Sequence, residues 1–179
     1  MLASLLEYVK FPNKTHADGY VEVRSIPKVQ LATVMRVGSS KFSVEKQLGK
    51  GNYGAVFLCL DIHNSKSVAV KFQKPSRPWE FYICQEIKAR IKDPFMLPGY
   101  MDITMAFLGE NASLFVSEYS RYGSLLDVAN KVRVATSKCI NEFIVILLTS
   151  EMLSIVHYLH KAQIIHADIK PDNFLLMKI

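Results

Sequence analysis

The chain has 179 residues, of which half are hydrophobic and 21% are charged, a balance that allows a real core and excludes a largely disordered chain. The net charge is +6, but the basic residues are scattered, so we expect no direct binding of nucleic acid. The three cysteines follow no metal-binding or disulfide pattern, which favours a reducing compartment. The longest apolar run, 143–148, is too short to cross a membrane, so no membrane contact is expected.

The first 41 residues predict an N-terminal extension. Its start favours a short amphipathic helix, because apolar residues recur at helical spacing at Leu2, Leu5, Leu6 and Val9. Prolines and glycines over 11–40 then favour an extended arm with turns.

The middle of the chain carries strand signals. β-branched and aromatic runs separated by turn residues predict five strands, of which the first three are antiparallel. The five runs lie at 42–51, 55–61, 67–73, 101–107 and 113–119. Between the third and fourth, Pro78 predicts the start of a helix that Asp93-Pro94 ends.

Helical signals dominate the rest. A short helix is expected after Gly123, and a long one over 140–160. The long helix has a stripe that predicts burial of Ile140, Ile144, Leu147, Ile155 and Leu159. Residues 174–179 read as a short strand. The order of elements predicts an α+β lobe followed by the start of a helical lobe.

A glycine motif falls between the first two of these strands. The stretch GKGNYGAV has the form G-x-G-x-x-G-x-V, with glycines at Gly49, Gly51 and Gly54 and a valine at Val56. A strand follows it, whereas the dinucleotide-binding version opens a helix. A glycine hairpin of this kind covers the phosphates of a nucleotide in protein kinases, although an ordinary Gly-rich hairpin has the same letters.

A lysine follows on the next strand, in the stretch VAVK. A strand lysine that is partly buried needs an anion, and Lys71 would contact nucleotide phosphates and a helix glutamate. The alternative is an edge-strand lysine with its ammonium in water. Glu80 and Glu86 are the candidate partners, and they point to different faces of the helix, so the residues alone leave the choice open.

Three polar residues are grouped in the stretch HADIKPDN. Asp168 would accept or orient a substrate hydroxyl, Lys170 would neutralise charge near the transferred phosphoryl group, and Asn173 would hold Mg²⁺. Alone, the octapeptide could be a solvated turn. Its position after a glycine hairpin and a strand lysine predicts a site for ATP and Mg²⁺.

Together these motifs resemble a eukaryotic protein kinase over residues 42–179. The stretches KFQKPSRPWEFYI, SEYSRYGSLLDV and IIHADIKPDNFLL resemble the Bub mitotic checkpoint serine/threonine kinases. The implied fold is α+β and protein-kinase-like, with a five-stranded antiparallel N-lobe over 42–118 and one helix. The start of the helical C-lobe would occupy 119–179, preceded by the extension over 1–41.

The resemblance also implies roles for individual residues. Glu80 takes the lysine-pairing role, and Glu118 and Ser120 offer backbone groups to the adenine edge. Ser117 would be a small gatekeeper beside the adenine. The adenine itself would lie between Leu48, Val56, Ala69 and Leu175.

The implied function is an ATP-dependent protein serine/threonine kinase in mitotic spindle checkpoint signalling, located in the nucleus at kinetochores. Lys170 favours serine or threonine acceptors, a histone tail is one candidate substrate, and checkpoint and kinetochore proteins are the expected partners. The alternative is a catalytically inactive kinase-like scaffold or a fragment. Ala167 replaces the usual arginine, and the 179 residues include no D-F-G, so we expect no activity from them alone.

Overall fold

The computed structural model describes residues 2–12, 18–52 and 54–177. It separates into two compact units. The sheet unit comprises Met1–Glu86 and Met101–Tyr119, and the helical unit comprises Ile87–Tyr100 and Ser120–Ile179. The expected division at residues 41 and 118 stays a prediction.

The sheet unit contains seven strands and the start of α2. The strands run β1 (Tyr20–Glu22), β2 (Val34–Val37), β3 (Ser40–Gly51), β4 (Gly54–Asp61), β5 (Lys66–Gln73), β6 (Ile103–Leu108) and β7 (Ser113–Glu118). Helix α1 (Leu2–Tyr8) precedes them, and α2 (Trp79–Arg90) lies between β5 and β6. The strand order is β1-β6-β7-β5-β4-β3-β2, and among the described residues the β1–β6 pair is parallel while the other pairs are antiparallel.

The predicted α+β class is confirmed, but the expected count of five strands is wrong for this sheet. The five predicted strands are present, and the extension adds β1 and β2 at its two edges. These strands have three and four residues, too few for a recognisable alternation, and β1 pairs with a strand more than 80 residues away. Asn111 fixes the same arm, because its side-chain oxygen accepts from the Ile26 N–H and its amide donates to the Ile26 carbonyl, both at 2.8 Å.

Two apolar clusters stabilise the sheet unit. The larger lies against the strands and includes Phe42, Val44, Val70, Phe107, Leu114 and Val116. The smaller joins α2 to the sheet through Phe81, Cys84, Ile103, Ala106, Leu108 and Phe115. The extension adds Phe11, whose ring makes edge contacts with Tyr20, Phe81 and Tyr82. Burial of these large side chains is the main source of stability for α2 on the sheet.

The helical unit contains α3 (Leu125–Thr136) and α4 (Glu142–Lys161), with short 3-10 turns at Leu97–Gly99 and Pro171–Asn173. A capping box begins α3: the Ser124 hydroxyl accepts from the Asp127 N–H at 3.2 Å, and the Asp127 carboxylate accepts from the Ser124 N–H at 2.8 Å. This pairing satisfies two backbone N–H groups that the helix itself leaves free.

The second half of α4 is held by the segment before β6. Tyr100 donates to the Ile155 carbonyl at 2.7 Å, and the Tyr158 hydroxyl donates to Asp93 at 3.1 Å. The first half has no such cover in the described residues, so the predicted apolar stripe is covered towards its C-terminal end and open towards its N-terminal end. Leu159 is buried, whereas Ile144 and Leu147 are 50% and 61% exposed.

Two further expectations concern this unit. No membrane contact was expected from the sequence. By length and composition, however, α4 could cross a membrane, because it has few charged residues and a mean hydropathy of 1.6. Core helices of soluble domains can have the same length and composition, so these two properties are weak evidence of a membrane-spanning helix. The expected strand at 174–179 is reduced, within the described residues, to one bridge between Leu175 and Ser124.

Candidate active site

The glycine motif forms the hairpin between β3 and β4. Gly51 pairs with Gly54, and Gly49 lies opposite Val56, while two bulges interrupt the end of β3. Gly54 has φ near +134°, and a Cβ there would lie 2.1 Å from the Phe72 carbonyl oxygen, so only glycine fits. A Cβ at Gly49 or Gly51 would meet nothing within 4 Å, so the described fold leaves that backbone accessible.

Lys71 and Glu80 are brought together by strand β5 and the first turn of α2. The Lys71 ammonium lies 2.8 and 2.7 Å from the two carboxylate oxygens of Glu80. Both side chains are partly exposed, at 30% and 25%. Of the two candidate glutamates, Glu80 is the one that contacts the lysine, because it lies on the helix face that meets the sheet.

The predicted adenine-side residues of the sheet unit lie on neighbouring strands. Val56 is opposite Lys71, and Ala69 is opposite Ser117, whose hydroxyl lies 3.5 Å from the Ala69 carbonyl. Glu118 pairs with Val68 at the end of β7, and Leu48 is 40% exposed on β3. Their roles toward adenine stay predictions.

The predicted catalytic residues form a small cluster in the helical unit. The Asp168 carboxylate lies 3.0 Å from the Lys170 ammonium and accepts from the Asn173 amide at 3.0 Å. The same amide donates to the Asp168 carbonyl at 2.7 Å, and His166 accepts from the Asp168 N–H at 3.2 Å. Hydrogen bonds from Lys170 and then from Asn173 lower the pKa of Asp168, so it is a carboxylate at neutral pH.

The other predicted residues of the helical unit stabilise its own turn. Ser120 is buried, and its hydroxyl lies 2.7 Å from the Leu176 carbonyl. Leu175 bridges to Ser124 and is 48% exposed. Ser120 therefore ties the 120–124 turn to the residues that follow the 166–173 loop, a structural role that the sequence did not predict.

ATP and Mg²⁺ are groups that the fold family implies. The open glycine backbone and the Lys71 ammonium suit phosphate oxygens, which need N–H donors and positive charge. Across the described residues, no group of three or more His, Cys, Asp or Glu side chains could hold a metal alone. Asn173 and Asp168 offer oxygen ligands, so Mg²⁺ would fit there as a shared ion that also takes nucleotide and water oxygens.

Two site residues were missed at the sequence level. Gln73 donates to Glu80 at 2.9 Å, and Ser113 lies 3.4 Å from the Gln73 side-chain oxygen. The signal available was the glutamine two residues after Lys71, which a strand places on the same face as the lysine. Ser113, a small polar residue in an apolar strand, carried no recognisable pattern.

Comparison with known proteins agrees with this geometry. Residues 42–179 match the family described as protein kinase domain. The chain is 32% identical over 181 residues to the mitotic checkpoint serine/threonine-protein kinase BUB1 of Mus musculus, covering 98% of this chain and 17% of that protein. It is 34% identical over 156 residues to the bub-1 kinase of Caenorhabditis elegans, covering 85% and 15%.

A solved structure is also similar. The structure titled "Crystal structure of BubR1 kinase domain" superposes with a TM-score of 0.92 and 43% identity, covering 99% of this chain and 53% of that one. The chain therefore belongs to the protein kinase family. Within that family it is close to the Bub kinases, as its motifs predicted. It spans less than a fifth of the length of these two curated relatives and about half of the solved domain.

Proposed function

We propose that the chain is part of an ATP-dependent protein serine/threonine kinase of the mitotic checkpoint. The observation that carries this proposal is the Lys71–Glu80 pair, held at 2.7–2.8 Å on the strand that follows the glycine hairpin. A lysine held by a glutamate keeps its charge and its direction, and both are needed to orient a polyphosphate.

The sheet unit supplies the nucleotide-binding groups. Backbone N–H groups near Gly49 and Gly51 can approach phosphate oxygens because no side chain blocks them. Lys71 contributes a positive charge to the same anion. ATP, when bound, supplies the phosphoryl group that is transferred.

The catalytic loop of the helical unit supplies the acceptor side. Asp168 is ionised, so its carboxylate can accept the hydrogen bond of a substrate hydroxyl and orient that oxygen for attack. Lys170 is positioned beside it to neutralise phosphoryl charge, and Asn173 holds the loop and offers an oxygen to Mg²⁺. When bound, Mg²⁺ neutralises charge on the phosphates.

The biological setting follows from the relatives. The similar proteins are named as serine/threonine-protein kinases of the mitotic checkpoint or of the spindle assembly checkpoint. We propose by analogy that the substrate is a protein hydroxyl, for example on a histone tail, and that checkpoint and kinetochore proteins are the partners. The location would be the nucleus, at kinetochores.

A kinase-like scaffold is the second candidate. Ala167 precedes Asp168 with φ near +61°, where many kinases have the arginine that reads activation-loop phosphate. This departure favours a chain whose activity is not controlled in that way, or one that has lost activity. Retention of Lys71, Glu80, Asp168 and Asn173 favours the enzyme.

Two measurements test the proposal. The first is binding of a fluorescent ATP analogue to the 179-residue chain with and without Mg²⁺, for wild type, Lys71→Ala and Asp168→Asn. The second is transfer of labelled phosphate to a histone-tail peptide by the protein expressed from its own gene. Nucleotide binding that Lys71→Ala abolishes, with transfer that Asp168→Asn abolishes, supports the kinase. Nucleotide binding without phosphate transfer supports the kinase-like scaffold. If the wild-type chain binds no nucleotide, the proposed nucleotide-binding role of the sheet unit is wrong.

A further inference from the structure

We propose that Gln73 and Ser113 are positioning residues that hold Glu80 on Lys71. They form a buried chain of hydrogen bonds from β7 to the first turn of α2. The inference rests on the proposed function, because the Lys71–Glu80 pair acts on a nucleotide phosphate. Neither residue belongs to a recognisable sequence motif.

Gln73 is placed by strand geometry. It ends β5 two residues after Lys71, so both side chains leave the same face of the sheet. Its amide donates to the Glu80 Oε2 at 2.9 Å, the same oxygen that lies 2.7 Å from the Lys71 ammonium. Gln73 is only 6% exposed, so water does not compete freely for this contact. Glu80 therefore has two donors that fix its rotamer.

Ser113 is the second member of the chain. It lies directly opposite Gln73 in the β5–β7 register and is fully buried. Its hydroxyl lies 3.4 Å from the Gln73 side-chain oxygen, and it accepts from the Arg77 N–H at 3.2 Å. Arg77 immediately precedes Pro78, so the hydroxyl also holds the backbone that enters α2.

The direction of the Gln73 amide is set by its neighbours. A carboxylate only accepts hydrogen bonds, so the NH₂ group faces Glu80 and the oxygen faces the Ser113 hydroxyl. The reverse orientation would place two acceptors against each other. The Ser113 hydroxyl can donate to the Gln73 oxygen at 3.4 Å or to the Arg77 carbonyl at 3.5 Å, whereas the contact with Glu80 alone sets the direction of the amide.

The same glutamine also backs the glycine hairpin. A Cβ added at Gly54 would lie 3.2 Å from the Gln73 Cγ and 2.1 Å from the Phe72 carbonyl oxygen. The Gln73 side chain therefore lies against Gly54 and also donates to Glu80, the partner of Lys71. Loss of the amide would leave Lys71 and Glu80 in place but free to adopt other rotamers.

The test compares Gln73→Leu with a matched control. Gln85→Leu removes a similarly buried glutamine from α2 that makes no hydrogen bond to Lys71 or Glu80 in the described part of the chain. We expect Gln73→Leu to weaken binding of a fluorescent ATP analogue about tenfold, because the partly buried Glu80 carboxylate loses a charge-assisted hydrogen bond. Ser113→Ala should weaken it about threefold, and Gln85→Leu less than about twofold.

A double-mutant cycle separates positioning from general loss of structure. If Gln73 acts through Glu80, then Gln73→Leu changes affinity less than about twofold in a Glu80→Gln background. Equal effects of Gln73→Leu in both backgrounds, or an effect no larger than that of Gln85→Leu, would overturn the inference.

A second measurement does not need nucleotide. Hydrogen exchange of peptides covering residues 76–83 reports whether the first turn of α2 stays on the sheet. Gln73→Leu should speed exchange there and leave the β3–β4 peptides unchanged, and unchanged exchange at 76–83 would contradict the proposal. If wild type fails to bind ATP, the proposed function fails, while this measurement still decides the role of Gln73.

Discussion

The two halves of the candidate site differ in how the fold supports them. Lys71 and Glu80 arise from a strand and a helix, are 30% and 25% exposed, and are joined to buried Gln73. Asp168 and Lys170 lie on an irregular loop, are 61% and 48% exposed, and depend on contacts within six residues of sequence. The first half is held by tertiary structure, and the second by local hydrogen bonds.

Because of this difference, substitutions in the two halves should lower activity in different ways, some by destabilising the fold and others by impairing phosphoryl transfer. In the sheet half, a change alters packed neighbours as well as the charged group. In the loop half, the pairs are solvated, and exposed ion pairs contribute little to stability. Substitutions in the loop should therefore change phosphoryl transfer with little effect on unfolding.

The largest expected effect is that of Lys71→Ala. It removes the phosphate-binding charge and should lower ATP affinity of the chain by about a hundredfold or more, since charged groups at such sites contribute several kcal/mol. Lys66→Ala, an exposed lysine on the same strand, is the control and should leave affinity unchanged. Nucleotide titration measures both, and equal affinities for wild type and Lys71→Ala would disprove the assignment.

Gly54→Ala should be the most destabilising change in the glycine motif. Its φ near +134° and the clash with the Phe72 carbonyl predict a loss of about 2–3 kcal/mol in the free energy of unfolding. Gly51→Ala should cost about 1 kcal/mol or less, because its Cβ meets nothing, yet it should weaken nucleotide binding. Urea denaturation of both variants checks the stabilities, and equal destabilisation would contradict the clash at Gly54. Unchanged nucleotide affinity of Gly51→Ala would show that this glycine is purely structural.

The partner glutamate gives the next effect. Glu80→Gln should weaken ATP binding about tenfold, because Lys71 loses the carboxylate that orients it. Glu86→Gln, on another face of the same helix, should change it less than about twofold. A larger effect of Glu86→Gln would mean that the pair seen at Glu80 is not the one used with nucleotide.

The smallest effect is in the helical unit. Asp127→Asn should lower the free energy of unfolding by about 1 kcal/mol at neutral pH, because it removes the ionised member of the capping box. Hydrogen bonds from the Ser124 N–H and then its hydroxyl lower the pKa of Asp127 from its ordinary value, so this contribution is present above the ordinary pKa of an aspartate and is lost as the pH falls through the lowered pKa. The free energy of unfolding, measured between pH 7 and pH 2.5, reports this contribution. Glu151→Gln is the control, because Glu151 is exposed and lies inside α4, away from any helix cap. A difference from wild type that stays constant from pH 7 to pH 2.5 would contradict the role of the ionised carboxylate.

Much of the fold could be predicted because its signals are local. The five central strands, α2 and both later helices follow from alternation, helical spacing and proline positions. β1 and β2 could not, since they have three and four residues and owe their existence to partners such as Phe107 and Phe42. The apolar face of α4 was predicted from its spacing, but periodicity alone does not say which part of that face a neighbour covers, and Ile144 and Leu147 are exposed.

The site divides in the same way. Lys71, Asp168 and Asn173 stand in motifs whose letters suggest their chemistry, and the resemblance favoured Glu80 over Glu86. Gln73 and Ser113 carry no motif, because their contacts come from the register of β5 against β7. A residue whose role depends on a partner 40 positions away is found only when the strands are paired.

The parallel pairing of β1 with β6 has a practical consequence. β6 reads ITMAFL, an apolar strand whose outer backbone groups bond to the arm: the Ala106 N–H donates to the Gly19 carbonyl at 2.7 Å, and the Leu108 carbonyl accepts from the Val23 N–H at 3.0 Å. Removing the arm would turn β6 into an open edge of high β-propensity, a template for strand exchange between molecules. An expressed form of this domain should therefore begin before residue 18. A form that begins at residue 42 would lack β1 and expose the edge of β6, and we expect it to aggregate.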